Sequence, residues 1–218
     1  MTVLAIVFDF DGVLADSEPL HLASYQEVLS ALGLTLTRED YYANFLGYSD
    51  EDVFRLLGAR HGWTLDAGQI AALIAQKSRI FDEAVASGSM LYPGAAACVE
   101  RLAKTFPLGI ASGALRHEIE TVLTGARLRH HIRFIVGAGD TARSKPAPDP
   151  YLRAAELHGV APPACVAIED SRWGIQSAKA AGMKCVGITN TYPAAELHAA
   201  DRVIGSLDEF TAALIEGL

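Results

Sequence analysis

Val3-Leu4-Ala5-Ile6-Val7-Phe8-Asp9-Phe10-Asp11-Gly12-Val13 is an apolar, partly β-branched run that ends in two carboxylates and a glycine. The run reads as a strand buried on both faces. Side chains alternate along a strand, so Asp9 and Asp11 start on the same face. Two bare carboxylates placed this close repel by roughly 4 kcal/mol at 4 Å and an effective dielectric of 20. A chain that sets them at the end of a buried strand calls for a cation or a shared proton beside them. The plainer alternative is a pair of polar residues closing a strand before a turn.

Further strand-like runs recur at Pro107–Ala111, Phe134–Gly137, Cys165–Ile168 and Cys185–Ile188. Segments of helical spacing lie between them, one carrying Ile119, Val122 and Leu123. Another opens with Asp149 as expected N-cap and Pro150 in the first turn, and closes at Gly159. Strands alternating with helices predict an α/β fold, a Rossmann-like doubly wound parallel sheet with right-handed crossovers. Chemistry in such sheets gathers at the carboxyl ends of the strands.

The alternation breaks after the first strand. Residues 17–87 are nearly all helix-like, over Leu20–Leu32, Arg38–Phe45, Asp50–Arg60 and Ala67–Val85. Ser49 with Asp52 reads as a capping box. This block is expected to be an inserted all-helical cap domain (17–87), with 1–16 and 88–218 forming the catalytic core and Pro93-Gly94 marking the return.

The chain has 218 residues, half of them apolar and a fifth charged, with a net charge of -8. That balance speaks against a general nucleic-acid or acidic-membrane binder, which would carry a basic stripe. Three cysteines without metal-type spacing fit a reducing, cytoplasmic setting. No stretch reads as a signal peptide or is long enough to cross a bilayer. The expected state is a monomer or small homo-oligomer.

Three polar clusters fall at expected strand ends: Ser112-Gly113, Ser144-Lys145-Pro146 and Glu169-Asp170-Ser171. Each has a bland reading by itself. Ser112-Gly113 could cap a helix, Lys145 could be a surface lysine, and Glu169-Asp170 could be acids favoured by a helix dipole. Taken with Asp9 and Asp11, they make four carboxylates, a hydroxyl and a lysine converging at one sheet edge. Such hard oxygen ligands suit Mg²⁺, and the lysine and hydroxyl suit a phosphoryl group.

These four motifs together resemble those of the haloacid-dehalogenase superfamily, in the subgroup with β-phosphoglucomutase and phosphoglycolate phosphatase. Asp9-Phe10-Asp11-Gly12-Val13 matches the first motif, Ser112-Gly113 the second, Lys145-Pro146 the third and Glu169-Asp170-Ser171 the fourth. The resemblance covers nearly the whole chain. It implies a Rossmann-like core with a helical cap, Asp9 as nucleophile and Asp11 as general acid and base. It also implies phosphoryl binding by Ser112, Gly113 and Lys145. Mg²⁺ would be held by Asp9, Asp11 and Asp170, with Glu169 as a direct or water-mediated ligand. An acid at Asp11 separates the chain from the superfamily's dehalogenases, which lack one there.

The cap residues His21, Gly47, Asp50 and Lys77 match positions that face substrate in that subgroup. The mutase carries a phosphate-binding arginine where this chain has Asp50, which argues against holding a bisphosphate. Lys77 and Arg55 also read as plain helix-surface residues. The expected activity is Mg²⁺-dependent hydrolysis of a small phosphorylated metabolite, a sugar phosphate or phosphoglycolate. A phosphosugar mutase is the runner-up, and a non-catalytic phosphate-binding protein ranks behind both.

Overall fold

A computed structural model describes every residue except 1–2, 46–47 and 87–89. The chain runs β1 (Ala5–Phe8), α1 (Glu18–Ser30), α2 (Arg38–Asn44), α3 (Asp50–Arg60), α4 (Ala67–Ala86) and α5 (Ala95–Leu102). Then come β2 (Leu108–Ala111), α6 (Arg116–Gly125), β3 (Ile132–Val136), α7 (Asp149–His158) and β4 (Cys165–Glu169). The last elements are α8 (Arg172–Ala180), β5 (Lys184–Ile188), β6 (Arg202–Ile204) and α9 (Ala212–Glu216). The strands form one six-stranded sheet of order β3-β2-β1-β4-β5-β6, parallel at every pairing. The doubly wound α/β reading of the sequence is the fold observed.

The central strands β1, β2 and β4 are buried at every residue, as continuous apolar runs require when helices cover both faces. On one face Val7, Ala111 and Ala167 pack under Tyr151 and Ile175, from α7 and α8. Phe8 meets Phe210 edge to face, with ring centres 6.0 Å apart. Exposed residues occur on the outer strands: Arg133 on β3, Lys184 at the start of β5 and Arg202 on β6. Strand β6 escaped the sequence reading because three residues beginning with a charge carry too little periodicity to register.

Consecutive connections run to opposite sides of β1: β2 lies on one flank and β4 on the other. That reversal opens a crevice beyond the carboxyl ends of the central strands. Register places Phe8 beside both Ile110 and Ile168, so the residues that follow each strand emerge at one level.

The chain divides into two compact units, Met1–Asp16 with Ser89–Leu218, and Ser17–Gly88. The connectors to the helical insert run side by side: Asp16 N–H donates to Met90 and Tyr92 N–H to Leu14, at 2.7 and 2.9 Å. The helical unit has its own core, built from Leu22, Tyr25, Val28, Tyr41, Phe54 and their neighbours. Its helices end where local chemistry dictates. Thr37 accepts from Asp40 N–H and Ser49 from Asp52 N–H, the latter as the capping-box spacing predicts. On α7 the cap differs by one residue: Asp149 is the first helical residue, and Pro148 precedes it. Gly159 closes that helix in the left-handed conformation, as expected.

Phe54 is 1% exposed and sits edge-on to Tyr25 at 5.4 Å. Phe54→Ala is expected to cost the helical unit about 3–5 kcal/mol. Amide exchange should quicken in α1, α3 and α4 while β1 and β4 keep their protection. Equal loss in both units would show that they unfold together.

Candidate active site

Strand β1 delivers Asp9 to the sheet edge, where its N–H donates to the Ile168 carbonyl of β4 at 3.0 Å. This bond places Asp9 beside Glu169, the last residue of β4, and Asp170, which follows it. Lys145 arrives from the loop between β3 and α7. Its ammonium lies 2.8 Å from Asp9 Oδ1 and 2.5 Å from Glu169 Oε1. Tyr151 of α7 donates to the same Glu169 oxygen at 2.7 Å, and Ser171 donates to Oε2 at 3.2 Å. Asp9, Glu169 and Asp170 are all buried, with oxygens within 4.8 Å of one another. Four residues that the sequence reading singled out, Asp9, Lys145, Glu169 and Asp170, thus form one cluster. Lys145 is not a surface lysine: its side chain is 13% exposed.

Burial alone would push the Lys145 pKa down, but the Asp9 and Glu169 charges outweigh it and hold the group above the ordinary lysine value. Lys145 is therefore an ammonium at any physiological pH. Burial, then the neighbouring charges of Asp9 and Glu169, push Asp170 well above the usual carboxylate range. Burial and Asp9 raise Glu169 too, with Lys145 opposing them. Three carboxylates face one ammonium, so the cluster is short of positive charge. A divalent cation with oxygen preference fits that donor set. Asp9 and Asp170 are the carboxylates best free to hold it, since both oxygens of Glu169 already accept protein donors.

Local geometry builds the rest of the site. Gly174 opens the first turn of α8 directly over Glu169, and a Cβ there would lie 1.8 Å from the carboxylate carbon. Ser171 caps this helix by accepting from Gly174 N–H. Ser112 directly follows β2 and is 5% exposed. Its N–H donates to Val136, and its hydroxyl accepts from Ala114 N–H at 3.2 Å. Ser112 is not the N-cap of α6, a place taken by Leu115, and Gly113 beside it is exposed. Asp11 lies in a tight turn bridged to Ala15.

Tyr151, Asn190 and Thr191 were missed in the sequence. Thr191 hydrogen-bonds Asp170, and Asn190 Nδ2 donates to the Gly12 carbonyl at 2.8 Å. Both follow β5, so the strand-end rule that flagged the other clusters could have found them. Tyr151 had no comparable signal in an apolar helix face.

The helical unit holds a second polar cluster. The Lys77 ammonium lies 3.0 and 3.1 Å from the two Asp50 oxygens and 2.7 Å from His21 Nδ1. Tyr25 donates to Asp50 at 2.5 Å. Rings of Tyr25 and Phe81 flank the ammonium at 5.3 and 5.2 Å. The surface reading of Lys77 is therefore corrected: it is 1% exposed, because Asp50 compensates its charge and two aromatic rings flank its ammonium. Asp50 in turn is not a lone negative charge. Arg55 is a solvated residue paired with Glu51, as its helix-surface reading had it. Gly47 lies outside the described residues.

Burial, with Lys77 second, lowers the His21 pKa well below its ordinary value. Folded His21 stays neutral while the unfolded residue takes up a proton below about pH 6.5. The unfolded state then binds more protons, so stability is full above that pH and falls as pH drops. Exchange protection in α1 and α4 should weaken between pH 7 and 5, by at most about 1.4 kcal/mol per pH unit. His21→Gln should flatten that slope; an unchanged slope would remove His21 as its source.

A profile of the haloacid dehalogenase-like hydrolase family matches residues 6–188. Protein CbbY of Rhodobacter capsulatus is 36% identical over 209 residues, covering 88% of this chain and 88% of its own. Hexitol phosphatase B of Escherichia coli K12 is 34% identical over 222 residues, covering 96% and 95%. Among solved structures, a CbbY variant from Rhodobacter sphaeroides in complex with xylulose-(1,5)bisphosphate superposes with a TM-score of 0.85. It is 27% identical and covers 95% of this chain and 96% of its own. The match spans β1 through β5 and every strand-end motif that builds the acidic cluster, and the chain belongs to the haloacid dehalogenase-like hydrolase family.

Proposed function

We propose that this hydrolase is a Mg²⁺-dependent phosphatase that frees the phosphoryl group of a small metabolite through an aspartyl-phosphate on Asp9. Its phosphatase character is that of its family and of relatives named phosphatases. The observation that carries the mechanism is the contact of Asp9 with Lys145 at 2.8 Å, beside the buried pair Glu169-Asp170.

A carboxylate oxygen of Asp9 attacks phosphorus while the bond to the leaving oxygen breaks. Asp11 gives its proton to that leaving oxygen, then takes one from the water that attacks the phosphoryl-enzyme. The water's oxygen bonds to phosphorus, the Asp9 carboxylate departs, and inorganic phosphate is released. Lys145 and the Ser112-Gly113 turn bind the phosphoryl oxygens and oppose the repulsion between carboxylate and phosphate. Asp9, Asp170 and the Asp11 backbone carbonyl would hold the cation, which when bound lowers that same repulsion as a Lewis acid. Glu169 anchors Lys145 and supplies charge.

The substrate is a monophosphate of sugar or phosphoglycolate type. The name of the hexitol phosphatase supports this class. Phosphate release should be measured over sugar, hexitol and glycolate monophosphates with Mg²⁺ or chelator. Metal-dependent release is expected, and Asp9→Asn should lower it by roughly three orders of magnitude or more without loss of fold. Equal release by that variant, or none from folded wild type with Mg²⁺, would overturn the reading.

A further inference from the structure

We propose that Asn190 is a positioning residue for the proton-transfer step: by holding the Gly12 carbonyl it fixes the direction from which Asp11 reaches the leaving oxygen. The proposal rests on Asp11 being the proton donor of the reaction above.

Asn190 is remote from Asp11 in sequence and is supplied by the loop after β5. Its side-chain amide donates to Gly12 O at 2.8 Å across 178 residues. The recipient carbonyl belongs to the residue directly after Asp11. Gly12 has φ +76°, where side chains are disfavoured, and its N–H donates to Ala15 at 2.9 Å. A Cβ on Gly12 would lie 1.9 Å from Asp170 Oδ2 and 2.7 Å from Thr191 Oγ1. The turn that carries Asp11 is therefore pressed against the acid at the end of β4 and tied by Asn190 to the end of β5. The turn's own bonds close it locally: Val13, Leu14 and Ala15 all donate to Phe10 O. These internal bonds set its shape, while the bond from Asn190 sets its orientation on the sheet. A proton donor misplaced by an ångström loses much of its effect, so a single amide at this point governs how well Asp11 serves.

A displaced proton donor matters in proportion to how much the leaving group needs a proton. 4-Nitrophenolate departs unprotonated, phenolate less readily, and an alkoxide hardly at all. The test is kcat/KM for 4-nitrophenyl phosphate, phenyl phosphate and glycerol 3-phosphate, which reports steps up to departure of the leaving group. Wild type, Asn190→Ala, the near-isosteric Asn190→Asp and Asp11→Ala are compared, each checked for fold by circular dichroism and melting. Asn190→Ala and Asn190→Asp should lose about tenfold to a hundredfold on phenyl and glycerol phosphates. They should lose less than about threefold on 4-nitrophenyl phosphate, a steepening in the same direction as that of Asp11→Ala. A uniform loss across the series, or none, overturns the proposal, because damage to the fold or to phosphoryl binding would not sort by leaving group. If Asp11→Ala steepens the series and the Asn190 variants do not, the proposal alone falls. If Asp11→Ala does not steepen it, the acid assignment falls and takes the proposal with it.

Discussion

One ammonium group shared between two carboxylates ties together the strand ends of the sheet-bearing unit. Lys145 touches Asp9 at the end of β1 and Glu169 at the end of β4, and its own loop leads from β3 into α7. A buried ion pair of this kind is costly to desolvate and even costlier to leave half-made. The chain meets that demand with further donors: Tyr151 and Ser171 complete Glu169, and the Tyr151 ring lies 5.0 Å from the ammonium. The remaining excess of carboxylates leaves a donor set that suits an oxygen-preferring cation.

The sheet makes this arrangement possible. Because strand order reverses at β1, the ends of β1, β2, β4 and β5 lie side by side, and β1 and β4 carry the buried acids of the cluster. Asp9 is seated by a ladder hydrogen bond to Ile168, Ser112 by one to Val136, and neither relies on a flexible side chain for its place. The strands thereby fix where these two residues stand by backbone bonds alone.

The helical unit follows the same electrostatic logic with a different outcome. Lys77, Asp50, His21 and Tyr25 satisfy one another inside an aromatic setting. The acidic cluster of the core is left wanting a cation, whereas this cluster is internally compensated. Burial makes an uncompensated charge costly in both units; the first cluster keeps more carboxylates than ammonium groups, and the second pairs one of each.

Much of this was legible in the linear chain. Alternation of apolar runs with helical spacing specified the doubly wound sheet, and the uninterrupted helical block from Ser17 specified an insert. Residue type at the strand ends and in the loops after them pointed to Asp9, Lys145, Glu169 and Asp170, which the fold brings together, because in a parallel sheet the carboxyl ends converge. Burial, pairing and orientation were not legible there. The spacing of Lys77 alone does not distinguish it from a surface lysine; apart from Phe81 one turn on, its partners come from α1 and α3, many residues away. Nothing local makes Tyr151 a partner of Glu169 or Asn190 a partner of Gly12. Periodicity and turn chemistry act over a few residues and so are written in the sequence. Hydrogen bonds and ion pairs between distant segments depend on where the chain returns in space, and only the folded structure decides them.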